Sequence, residues 1–134
     1  MNRKSGRQHG EVFTNLNIVH FILDEVGYRS TVDLRNIKIL EPAAGEGVFA
    51  LEIIKRLKDS STKFGFDFFD ALNNQVCFVE IDDESFQILK SNVIQLIKGF
   101  DIPWQDLDDR LFINENYLKL EFSGQYNCIF GIPP

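Results

Sequence analysis

Two short stretches carry residue types from which a ligand site can be built: Glu41-Pro42-Ala43-Ala44-Gly45-Glu46-Gly47, and Glu80 with its neighbours. A glycine-rich turn lets backbone approach a ligand closely. Where such a turn joins a parallel strand to a helix, it lies at the carboxyl edge at which open α/β sheets bind ligands. Taken alone, Gly45-x-Gly47-x-x-Ala50 fits the dinucleotide fingerprint, and it fits a tight turn with no ligand as well. Glu80 closes an apolar run, a place where an acid accepts from both hydroxyls of a ribose. The plainer alternative is a solvated strand-end carboxylate beside Asp82 and Asp83. Glu80 comes 33 residues after Gly47, whereas the fingerprint expects roughly 20. The aromatic excursion Phe64-Gly65-Phe66-Asp67-Phe68-Phe69 accounts for the excess.

Glu41-Pro42 is the more telling pair. A carboxylate just ahead of the glycine turn would oppose a pyrophosphate across a low-dielectric cleft. It suits a ligand bearing a positive amine or sulfonium, which turns the reading from a dinucleotide toward S-adenosylmethionine.

The elements that must position these residues are legible in the apolar spacing. Val19, Ile22, Leu23 and Val26 share one face of a helix over 16–26, with Asn15 or Asn17 as its cap and Gly27 as its stop. Residues 37–40 form a short strand running into the glycine turn. A second helix follows, with Ala50, Ile53, Ile54 and Leu57 inward. Glu52, Lys55, Arg56 and Lys58 face water, and Glu52 pairs with Arg56 at i, i+4. The phenylalanine run within 59–75 is too aromatic for a solvated loop and folds back onto the sheet as packing, not as a base-stacking platform. Val76-Cys77-Phe78-Val79-Glu80-Ile81 is a strand of the kind buried on both faces. A third helix spans 84–98 with Phe86, Leu89, Val93 and Leu96 inward, and two more strands lie at Leu111–Ile113 and Tyr126–Phe130. Alternating strands and helices give right-handed βαβ units and an α/β fold with a mostly parallel sheet.

Composition sets the remaining bounds. The chain has 134 residues, one domain by size, with 44% hydrophobic and 25% charged residues, an ordinary globular balance. The net charge of −6 is the wrong sign for a self-sufficient nucleic-acid binder. No apolar stretch reaches membrane-spanning length and no signal-peptide core follows the polar start, so a cytoplasmic location with no membrane partner is expected. Cys77 and Cys128 sit in apolar runs and read as buried thiols of a reducing compartment. His9 and His20 show no metal-ligand spacing, and Trp104 after Pro103 reads as a packing plug.

Four stretches occur in one order: Gly10-Glu11-Val12-Phe13-Thr14, then Glu41 to Gly47, then Val79-Glu80-Ile81-Asp82, then Ile129-Phe130-Gly131-Ile132-Pro133-Pro134. In this the chain resembles the cofactor-binding portion of adenine-specific (N6) DNA methyltransferases of restriction–modification systems, from about Gly10 to its last residue. The resemblance implies a partial Rossmann-like methyltransferase fold and S-adenosylmethionine as cofactor. It implies that Phe13 and Thr14 hold the methionine end, and that Glu41, Pro42, Ala43, Ala44, Gly45 and Gly47 wrap the methionine moiety. Glu80 would take the ribose hydroxyls and Ile81 the adenine ring. Asn116, followed by Tyr117, stands where the family often has an acid that accepts from the cofactor's adenine amine. An amide oxygen still accepts that bond, without charge assistance. Asn15 replaces the family's usual proline after Thr14.

The family's catalytic signature is Asn, Asp or Ser, then Pro-Pro and an aromatic residue that stacks on a target adenine flipped from the duplex. This chain has Ile132 at the polar position, then Pro133 and Pro134, and it stops before the aromatic one. Pro134 is still expected beside the cofactor. The expectation is a single truncated domain over 1–134, with a basic arm at 1–11 and a cofactor-binding half at 12–134. Its DNA-recognition domain is expected to be absent, so double-stranded DNA would be reached only through a further C-terminal region or a partner chain. The chain alone would not methylate DNA, and an uncovered strand edge at Asn127 to Phe130 would favour self-association. The rival reading is a degenerate methyltransferase fold serving as a non-catalytic binding or interaction module. A nicotinamide-dependent oxidoreductase stands third, disfavoured by Glu41 and Pro133-Pro134.

Overall fold

The computed structural model describes residues 15–119 and 126–129. Helix α1 spans Leu16–Glu25, strand β1 Ile39–Glu41, helix α2 Val48–Phe64, helix α3 Phe68–Gln75, strand β2 Val76–Val79 and helix α4 Asp83–Gly99. Short 3-10 turns at Trp104–Asp106 and Asp109–Leu111 lead to β3 (Phe112–Ile113), and a third at Tyr117–Lys119 precedes β4 (Cys128–Ile129). The described strands form one sheet in the order β3-β2-β1-β4, with every pairing parallel. This is the α/β class, in a partial Rossmann-like arrangement.

The helices begin where short polar side chains meet free backbone N–H groups. Asn15 Oδ1 accepts from Asn17 N at 2.7 Å, Asp67 from Asp70 N at 2.9 Å and Asp82 from Ser85 N at 2.8 Å. Asp83 and Glu84 add negative charge to the first turn of α4, where the helix dipole favours it. The caps of α2 are glycines at both ends, Gly47 at φ 108° and Gly65 at φ 74°, a region β-carbon-bearing residues avoid.

Pleating divides the buried residues between two faces. Ile39, Val76 and Phe78 join Val19, Leu23, Ile53, Leu57, Leu89 and Val93 in the core between sheet and helices. Leu40, Cys77 and Val79 point to the other face, with Ile113, Tyr117 and Tyr126 packed on them. Cys77 is buried as expected, whereas the Cys128 side chain is outside the described set.

Several expected boundaries move. The first strand runs to Glu41 and the second stops at Val79, so Glu41 closes a strand while Glu80 follows one. Leu111 belongs to a 3-10 turn, leaving only Phe112 and Ile113 in β3. The aromatic run divides: Phe64 ends α2 partly exposed, Gly65 reverses the chain, and Phe68 opens α3, packing against Phe69 and Phe100. Trp104 is no plug; it is 36% exposed, with the Lys98 ammonium 5.3 Å from its ring centre.

The main correction concerns Glu52 and Arg56, which are buried at 8% and 9% exposure instead of facing water. They do pair, at 3.4 Å. The Arg56 guanidinium also donates to Asp24 Oδ1 at 2.8 Å and to the Tyr28 carbonyl at 3.0 Å, and lies 2.9 Å from His20 Nδ1. A guanidinium with this many partners can be enclosed between α1 and α2, and His20 is thereby structural.

Candidate functional site: an acid-lined glycine turn

Strand order brings the ends of β1, β2 and β3 to one edge, and the turn after β1 closes over them. The Ala44 N–H donates to the Val79 carbonyl at 2.9 Å, fastening the turn to the end of β2. Gly47 N donates to Ala44 O at 3.0 Å, and Asn92 of α4 donates to the Glu46 carbonyl at 2.9 Å. Gly45 and Gly47 both have positive φ. A β-carbon at Gly47 would lie 3.0 Å from Leu89 Cδ1, so glycine is needed there for backbone angle and packing alike.

Two carboxylates meet in this turn. Glu80 Oε1 accepts from Gly45 N at 2.6 Å and Oε2 from Asp82 N at 3.0 Å. Its own N–H donates to Ile113 O, which places it firmly at the sheet edge. Glu41 is more deeply enclosed, at 3% exposure, and its Oε1 accepts from Ala43 N at 3.1 Å. Burial pushes the Glu41 carboxyl up to about 7; the Ala43 N–H pulls it down, and the negative charge of Glu80 adds to the rise.

Of the expected site residues, the structure brings together Glu41, Pro42, Ala43, Ala44, Gly45, Gly47 and Glu80. Ile81 follows Glu80 and is 60% exposed, an apolar side chain facing solvent beside the acid. Asn116 lies beyond β3, but its Oδ1 already accepts from Leu118 N at 2.9 Å, leaving one lone pair on that oxygen. Tyr117 is partly buried and packs against the cluster of Leu40, Cys77 and Val79. Phe13, Thr14, Ile132, Pro133 and Pro134 lie outside the described residues.

Two contributors were not anticipated. Asn114 Nδ2 donates to the Glu80 carbonyl at 2.9 Å and to Ile81 O at 3.3 Å, pinning the backbone that carries both. Asn92 holds the glycine turn from α4. The only sequence signal was an amide directly after an apolar strand and another within an amphipathic helix.

The donor set fits S-adenosylmethionine. A buried carboxylate with one N–H donor suits a cationic group, and each Glu80 oxygen keeps a second lone pair for a ribose hydroxyl. A cavity of about 450 Å³ lies elsewhere, lined by His20, Asp24, Arg29, Glu52, Lys55 and Arg56 among others. It is the mouth of the Arg56 network, whose groups already serve one another.

No family model matches the chain. It is similar to curated methyltransferases: 30% identical over 142 residues to Type II methyltransferase M.BstVI of Geobacillus stearothermophilus, covering 97% of this chain and 25% of that protein. It is 30% identical over 130 residues to Type II methyltransferase M.PaeR7I of Pseudomonas aeruginosa, covering 93% and 23%. It is 37% identical over 133 residues to Type II methyltransferase M.XhoI of Xanthomonas vasicola, covering 95% and 24%. The chain spans about a quarter of the length of these relatives. In sequence the chain is thus similar to a stretch of three Type II methyltransferases that makes up about a quarter of each.

Proposed function

We propose that this chain is the S-adenosylmethionine-binding portion of a DNA methyltransferase that transfers a methyl group to the N6 amine of adenine. The observation that carries the reading is the contact of Glu80 with the glycine turn, 2.6 Å to Gly45 N, beside the buried Glu41. An acceptor for hydroxyls and an acceptor for cations thus share one sheet edge. Bound there, the cofactor supplies an electrophilic methyl group on a sulfonium.

In this reading Gly45 and Gly47 let the main chain approach the methionine moiety, with Phe13 and Thr14 closing on it from the arm. Glu80 orients the ribose, Ile81 packs on the adenine ring, and Asn116 accepts from the adenine amine through its remaining lone pair. Pro134 borders the cofactor. Ile132 occupies the position from which the family accepts a hydrogen bond from the target amine, and isoleucine offers no acceptor. Loss of one polar group aimed at developing charge costs on the order of 10²–10³ in rate. The chain is therefore a catalytically incomplete cofactor-binding half, 12–134, carrying a basic arm at 1–11. It works in the cytoplasm, and DNA recognition comes from a region beyond these residues or from a partner chain. Self-association through the strand edge at Asn127 to Phe130, of which Phe130 lies outside the described residues, belongs to the same reading.

Tritiated S-adenosylmethionine and adenine-containing duplex DNA test the assignment. The cofactor is retained by the chain, and label fails to enter DNA; transfer at the rate of a complete enzyme refutes the incompleteness, and no retention refutes the cofactor assignment.

A further inference from the structure

The two carboxylates of the turn are unequally provided for. Glu80 has two backbone N–H donors, whereas Glu41, the more enclosed, has one. Among the described residues, no Lys, Arg or His forms an ion pair with either. The charged group that acts on Glu41 from its surroundings is itself acidic: Glu80, which follows β2. An enclosed carboxyl with a single N–H donor and another acid nearby carries charge only at a cost, and Glu41 is that carboxyl.

We propose that Glu41 holds a proton in the ligand-free turn and releases it to solvent when a cationic ligand enters, so that cofactor binding is coupled to the loss of one proton. The inference rests on the S-adenosylmethionine reading, whose sulfonium and ammonium supply the positive charge. The O–H bond of the carboxyl breaks, the proton goes to buffer, and the carboxylate left behind is matched by the incoming cation. A carboxyl raised to about 7 gives the coupling its working range. The sign is fixed by linkage: affinity is fully expressed above the free carboxyl's midpoint and falls as the pH drops below it.

The test is calorimetric titration of the 134-residue chain with S-adenosylmethionine at pH 6, 7 and 8, each in two buffers of different ionisation enthalpy. Near pH 7 about half a proton leaves per ligand bound, nearly one at pH 6 and close to none at pH 8. Kd at pH 6 is about tenfold weaker than at pH 8. Glu41→Gln, with its fold checked by circular dichroism, loses the proton release. Titration of free S-adenosylmethionine in the same buffers gives the ligand amine's own share, which is subtracted from each proton count. Binding without proton release, or unchanged release in Glu41→Gln, overturns the inference and leaves the cofactor assignment standing. Absence of binding at every pH overturns both. Should Glu41→Gln fail to bind, the proton count of the unaltered chain decides.

Discussion

Replacing Glu80 by glutamine keeps the side chain's size but removes its charge and one of its two acceptor oxygens, which makes it the sharpest probe of the turn. The carboxylate takes one N–H on each oxygen, Gly45 N at 2.6 Å and Asp82 N at 3.0 Å. A glutamine has a single acceptor oxygen, so its NH2 must face one of those two N–H groups. One hydrogen bond is lost outright, and the other loses its charge assistance. Hydrogen bonds to charged groups contribute about 1.5–3 kcal/mol, against roughly 1 for neutral ones. Relieving the repulsion from Glu41 returns part of this, so the expected destabilisation is about 2 kcal/mol. Urea denaturation followed by circular dichroism measures it, at pH 8, where Glu41 is mostly ionised. The same variant should bind S-adenosylmethionine at least tenfold more weakly, since a hydroxyl meets an NH2 in place of a carboxylate oxygen. Unchanged stability together with unchanged affinity would refute the view that Glu80 organises the turn.

Gly47→Ala places a β-carbon 3.0 Å from Leu89 Cδ1 at a φ of 108° and should cost about 1–3 kcal/mol, read as a lowered urea midpoint; Gly45→Ala, with open space around it, should cost less. Arg56→Met leaves Glu52 enclosed without its cation and the Tyr28 carbonyl without this donor. A loss near 3 kcal/mol is expected, with part recovered in the Arg56→Met, Glu52→Leu double variant, as measured by a double-mutant denaturation cycle. Glu41 binds a proton in the folded chain up to about pH 7, against a usual value of 4.5, so its contribution to stability declines as the pH rises between the two. Glu41→Gln should accordingly stabilise the ligand-free chain by about 3 kcal/mol at pH 8 and by under about 1 kcal/mol at pH 5, in paired denaturation curves at the two pH values.

Most of this architecture was readable because burial follows period. The stripe Val19, Ile22, Leu23, Val26 gave helix α1 to within a residue, and the apolar run from Val76 gave β2. The glycine turn was legible because paired glycines between a strand and a helix mark a turn at the carboxyl edge, where Glu80 also lies. What escaped was burial of polar side chains. Periodicity assigns Glu52 and Arg56 to water by residue type, yet Arg56 is enclosed because Asp24, Tyr28, His20 and Glu52 converge on it from 28 to 36 residues away or one turn distant. Asn114 and Asn92 went unseen for the same reason: what they bind is main-chain carbonyls, which carry no mark in the sequence. The packing of Tyr117 on Leu40, Cys77 and Val79 also went unread, because it depends on the 3-10 turn at Tyr117–Lys119, which no apolar period marks.

The most direct measurement compares S-adenosylmethionine with NAD as titrants for the unaltered chain and for Glu80→Ala. Micromolar binding of S-adenosylmethionine alone, abolished by Glu80→Ala, is the predicted result. Binding of NAD, or affinity for S-adenosylmethionine that survives loss of the Glu80 carboxylate, would contradict it.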